Sequence, residues 1–130
     1  MTVEIRLANS EQRYIIQNMW SAYMHDLSQY RNLLPNKHGL FEDDEISTYT
    51  AENFMSEWWN HPDKTFAFIP YVEERTAGFA LVASPPLVDG EADKVMTDFF
   101  LLHSYRRKGI GQLIATQIFR EHPNFAKLRL

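Results

Sequence analysis

The run Tyr105-Arg106-Arg107-Lys108-Gly109-Ile110-Gly111 constrains the fold more than any other part of this chain, because it joins two segments of different periodicity. Val95 to Leu102 before it reads as an apolar strand, and Ile110 to Phe119 after it reads as an apolar helix. A strand that enters a helix through a glycine-containing turn points to an α/β domain. The free backbone N–H groups of such a helix start, with the positive end of the helix dipole, suit a phosphate or pyrophosphate.

Two anion-binding motifs are excluded by neighbouring residues. A P-loop needs Lys and then Ser or Thr after its last glycine, but Gly111 is followed by Gln112 and Leu113, which removes the Mg²⁺ hydroxyl ligand. A dinucleotide fingerprint needs a small residue three places after its second glycine, where this chain has the β-branched Ile114.

What fits is Arg106-x-x-Gly109-x-Gly111, preceded by the apolar strand Phe99-Phe100-Leu101 and by Tyr105 and followed by an apolar helix. In that context it resembles the (Arg/Gln)-x-x-Gly-x-(Gly/Ala) signature of the GNAT superfamily of acyl-CoA-dependent N-acetyltransferases. The resemblance extends over most of the chain. It implies an α/β GNAT-type (acyl-CoA N-acyltransferase) fold, with a central, mostly antiparallel mixed sheet flanked by helices, and acetyl-CoA as cosubstrate.

At 130 residues and 45% hydrophobic the chain suits one domain, residues 1–130, with one core. A net charge of −4 argues against a general nucleic-acid binder, so any basic site is local, as Arg106, Arg107 and Lys108 are. With no cysteine there is no disulfide framework, thiolate metal site or acyl-cysteine intermediate, so acyl transfer has to be direct. No stretch approaches the roughly 20 apolar residues of a membrane span, and the start lacks the pattern of a signal peptide. The chain reads as a cytoplasmic protein with no membrane partner.

Along the sequence, Val3, Ile5 and Leu7 alternate as in a half-buried strand. Ser10 reads as an N-cap, and Ile15, Ile16, Met19, Trp20, Tyr23, Met24 and Leu27 predict a helix over about 11–29. Residues 30–49 read as loop, with the acidic run Glu42-Asp43-Asp44-Glu45, and a second helix is predicted over about 51–60, before Pro62. An antiparallel hairpin over 65–72 and 76–83 turns at Glu73-Glu74-Arg75. A strand over about 94–102, a helix over about 109–121 and an apolar stretch over 125–130 follow. The order β-α-α-β-β-β-α-β matches the first part of the GNAT fold. Family members normally continue with another helix and further strands, which often carry a tyrosine that protonates the CoA thiolate, so the chain reads as C-terminally short.

The resemblance assigns the backbone from about Arg107 to Gly111 to the CoA pyrophosphate. Arg106 opens that cradle, Arg107 and Lys108 meet phosphates as charges, and Gly109, Ile110 and Gly111 complete it. Leu101 stands four residues before Tyr105, where a bulged strand offers backbone to pantetheine, and its N–H is the expected oxyanion donor. Asp98 is the candidate base, at a place where many members carry a carboxylate that activates the amine. The competing reading is a solvent-facing aspartate on a half-buried strand. His103 reads as a loop residue and Tyr105 as structural. His25, His38, His61 and His122 show no ligand spacing, so no metal is expected. The acidic run reads as a solvated loop and Trp58, Trp59, Phe66, Phe68 and Tyr71 as core.

The resulting expectation is transfer of an acetyl group from acetyl-CoA to a primary amine of a small molecule. The alternative is a truncated, non-catalytic CoA-binding module that assembles with another chain, with an unpaired final strand favouring a homodimer.

Overall fold

The computed structural model describes residues 2–39, 41, 55–61, 63–84, 95–121 and 127–128. In chain order the elements are β1 (Val3–Leu7), α1 (Arg13–Leu27), α2 (Ser56–Trp59), β2 (Thr65–Val72), β3 (Arg75–Thr76), β4 (Gly78–Ala83), β5 (Val95–Leu101), α3 (Ile110–Glu121) and β6 (Lys127–Leu128). The strands make one sheet in the order β1-β2-β4-β5-β6, with β3 paired to β2 beside β4. Every described pairing is antiparallel except β5 with β6.

Strand alternation gives this sheet two apolar faces; among the described residues α1, with the short α2, covers one and α3 the other. Ala67, Ile69, Phe79, Leu81 and Phe100 meet Ile16, Met19, Tyr23 and Met24 of α1 on one face. Phe68, Val72, Ala80, Val82, Met96 and Leu101 meet Ile110, Ile114 and Ile118 of α3 on the other. The isoleucines of α3 recur every fourth residue, so a single stripe is buried. The expected single core is therefore two cores separated by the sheet. The aromatic residues read together as core divide between them: Phe66 and Phe68 lie with α3, and Trp58, Trp59 and Tyr71 with α1.

Asn9, not Ser10, caps the start of the first helix. Its side chain accepts from the Glu11 N–H at 2.9 Å while Gln12 Oε1 accepts from the Asn9 N–H at 3.0 Å, which closes a capping box one residue earlier than the sequence pattern indicated. Ser10–Gln12 forms a 3₁₀ turn leading into α1. The hairpin is tighter than expected, because Val72 pairs with Arg75 and leaves a two-residue turn in which Glu73 and Glu74 have φ of 49° and 66°. Such a left-handed pair matches the twist of the strands, at a cost that glycine would avoid. Of the helix predicted over 51–60, the described part is Ser56–Trp59, and the acidic run Glu42 to Glu45 lies outside the described residues.

A bulge in β5 decides which side chains reach which face. Leu81 pairs with Asp98 and Val82 with Met96, so Thr97 is the extra residue. Met96 consequently faces α3 while Asp98 and Phe100 face α1; an unbroken strand would put all three on the same face.

Candidate functional site

The turn between β5 and α3 is built from backbone of alternating hand. Arg106 is extended (φ −82°, ψ 158°), Arg107 has φ 62° and Gly109 has φ 74°. Backbone that alternates in hand is what an anion nest is made from, and this turn leads directly into the first turn of α3. A Cβ on Gly109 would meet nothing within 4 Å, so the space above the turn is open to a ligand. A Cβ on Gly111 would come no closer than 3.9 Å to the Phe99 ring, an ordinary contact. Arg107 and Lys108 are exposed in this turn, and Ile110 is buried beneath it. These features fit a pyrophosphate: donors, local cations and room.

The Arg106 side chain points elsewhere. Its Nε donates to the Leu101 carbonyl at 2.6 Å, a terminal nitrogen donates to Asp26 Oδ2, and the guanidinium lies over the Phe100 ring at 5.5 Å. It thus ties the motif to the end of β5 and to the last turn of α1. Asp26 is the hub of this tie, since its other oxygen lies 3.3 Å from His103 Nε2. Burial alone would raise the Asp26 pKa, but the hydrogen bonds from Arg106 and His103 and their charges outweigh it and hold the carboxyl below its ordinary value. Asp26, Gln29, Tyr30, His103, Arg106 and Arg107 line an open groove of about 540 Å³.

Leu101 is buried on the α3 face, and its backbone polar groups face the other way from β4. The Leu102 N–H donates to the Ala77 carbonyl at 2.8 Å, on the β4 side. Alternate residues of a strand present their polar groups to opposite edges, so those of Leu101 and Phe99 face the β6 side. The described pairing of β6 reaches only Val95 and Met96, which leaves the C-terminal half of β5 as a seam in the described ladder.

Asp98 is half-buried on the α1 face. Tyr23 donates its hydroxyl to Asp98 Oδ1 at 2.5 Å, and the Thr97 hydroxyl lies 2.9 Å from Oδ2. Burial, then the charge of Asp98 and the hydrogen bond to it, push the Tyr23 phenol well above its ordinary pKa, with Arg31 opposing. The structure therefore places Leu101 at the end of β5 with Arg106 tied to it and Arg107 to Gly111 just beyond, while Asp98 lies in the middle of the strand on the α1 face. Tyr23, Asp26 and Thr97 join them without having been singled out from the sequence. Asp26 left one trace: an acid in a helix's last turn opposes the dipole unless something pairs with it. Among the described residues no group of three or more His, Cys, Asp or Glu could hold a metal ion.

No family model matches the sequence, and neither does any curated protein. Solved structures match nearly all of it. A predicted acetyltransferase from Clostridium acetobutylicum, crystallised with acetyl-CoA, aligns with a TM-score of 0.67 at 12% identity, over 99% of this chain and 80% of its own. A putative GNAT family acetyltransferase from Staphylococcus aureus aligns at 0.63 and 15% identity, over 97% of this chain and 98% of its own. The ribosomal-protein-alanine N-acetyltransferase of Brucella melitensis biovar Abortus 2308 aligns at 0.60 and 19% identity, over 100% of this chain and 79% of its own. The chain thus has the GNAT fold, the fold of acetyl-CoA-dependent N-acetyltransferases. Among the described residues no helix is long and apolar enough to cross a membrane.

Proposed function

We propose that this chain is an N-acetyltransferase that moves an acetyl group from acetyl-CoA to a primary amine of a small molecule by direct attack. The observation that carries the reading is the open, left-handed turn at Arg107 and Gly109, leading into α3 directly beyond a bulged strand. On this reading the N–H groups from Arg107 to Gly111 hold the pyrophosphate, with Lys108 and Arg107 as counter-charges. Bound acetyl-CoA supplies an electrophilic thioester carbon. The Leu101 N–H, facing the seam, donates to the carbonyl oxygen as negative charge grows there. Asp98 takes a proton from the ammonium group, the freed nitrogen forms the C–N bond, and as the C–S bond breaks the nitrogen's surplus proton passes to the departing sulfur, so that the amide forms and CoA leaves as the thiol.

Calorimetric titration of acetyl-CoA into the intact chain and into Gly111→Asp tests the cosubstrate half. An aspartate at the second position of α3 has room for its Cβ and complements the helix dipole, so the variant should melt no lower than the wild type. It should nonetheless bind acetyl-CoA at least about tenfold more weakly, through repulsion of the pyrophosphate. Turnover against kanamycin, spermidine and an alanine-terminated peptide tests the acceptor half. Retention of full affinity by Gly111→Asp, or no turnover of any amine, would count against the reading.

A further inference from the structure

We propose that Tyr23, together with Thr97, is a positioning residue for Asp98, so that the base of this site is oriented from α1 as well as from its own strand. The inference rests on the N-acetyltransferase reading above. Each Asp98 oxygen faces one hydroxyl: Tyr23 on Oδ1 at 2.5 Å and Thr97 on Oδ2 at 2.9 Å. A carboxylate oxygen accepts along two lone pairs, so this arrangement fixes rotation of the group and leaves one acceptor direction on each oxygen for an ammonium proton.

The donor from α1 is itself held. Tyr23 is 7% exposed, and its ring packs edge-on against Trp20 at 5.2 Å, Phe79 at 5.2 Å and Phe100 at 5.7 Å. Burial and the facing charge keep its phenol protonated at any working pH, so it remains a donor throughout. Thr97 is the bulge residue that turns Asp98 toward Tyr23 in the first place. A base fixed in this way loses no orientational freedom when the amine arrives, which is the condition for efficient proton transfer. Phe100 and Phe79 would pack as well around a phenylalanine; the hydroxyl is what the packing does not require.

The test is a double-mutant cycle in kcat with Tyr23→Phe and Asp98→Asn, using the fastest acceptor among kanamycin, spermidine and the alanine-terminated peptide. Tyr23→Phe should lower kcat about tenfold while leaving the acetyl-CoA KM within about twofold, because the hydroxyl acts on the base and not on CoA. In the Asp98→Asn background the same change should alter kcat by less than about twofold, the signature of action through one partner. Thr97→Val should reproduce this pattern, and it serves as the first arm should Tyr23→Phe not fold. Losses that multiply, or an unchanged kcat in Tyr23→Phe and Thr97→Val, overturn the inference while leaving the N-acetyltransferase reading intact. A wild-type chain that turns over none of the amines overturns both.

Discussion

At the scale of single residues, the most informative group is Asp26, because its position is unfavourable until its partners are counted. A carboxylate in the last turn of α1 opposes the helix dipole, and the bonds from Arg106 and His103 reverse that penalty. Its folded pKa is depressed, so its contribution is present above the ordinary value of 3.8 and is lost as pH falls through the lower folded value. Arg106 is 36% exposed and Asp26 22%, so screening limits the pair to about 1 kcal/mol. Asp26→Asn should therefore be less stable than wild type by about that amount at pH 7, with the gap closing below about pH 3.8. Urea denaturation at several pH values reads this directly, and a gap independent of pH would remove Asp26 as its source. Pairings of this kind were not legible locally. Tyr23 reads as one more member of the apolar stripe of α1, and its partner lies 75 residues away. Arg106, read as part of a phosphate cradle, donates instead to a helix 80 residues upstream in sequence.

At the scale of elements, periodicity located most of the strands and helices, because each face of the sheet buries alternate residues and each long helix buries one stripe. The errors fell where backbone geometry, not side-chain hydrophobicity, decides. The cap moved to Asn9 because Gln12 can return its hydrogen bond. The bulge at Thr97 has no signature in the run Val95 to Leu101, yet it decides that Asp98 faces α1. Gly78 is another such position, since it lies inside a strand that reads as continuous. A Cβ there would sit 1.9 Å from the Phe100 carbonyl oxygen and 3.0 Å from the Leu101 Cα, both of them backbone atoms that cannot swing aside. Glycine at this point lets β4 approach the end of β5 that carries Leu101. Gly78→Ala should cost about 3 kcal/mol or more and lower the melting temperature by about 10 °C or more, with the loss centred on the β4–β5 pairing. A variant within about 0.5 kcal/mol of wild type would mean the two strands separate freely, contrary to the close contact described.

For the molecule as a whole, two cores share one sheet, and β5 is the strand through which both reach the site: Phe100 belongs to the α1 core and Leu101 to the α3 core. Among the described residues the pairing on the outer edge of β5 stops at Met96; the Phe99 and Leu101 N–H groups face that seam, while the Leu101 carbonyl accepts from Arg106 Nε. A ligand held by the nest and laid along that seam would give the N–H groups there the partners that a neighbouring strand gives elsewhere. Acetyl-CoA should accordingly stabilise the whole fold and not only the turn: at a free concentration 100 times its Kd the gain is about 2.7 kcal/mol. For a domain of this size that corresponds to a rise in melting temperature of roughly 10 °C, and Gly111→Asp should show little of it. Amide exchange gives the local signature. The N–H groups of Phe99 and Leu101 should slow on addition of acetyl-CoA by more than that of Phe100, whose polar groups already face β4. Global stabilisation without this alternation would place the ligand at the nest alone, and the seam would then have no part in binding.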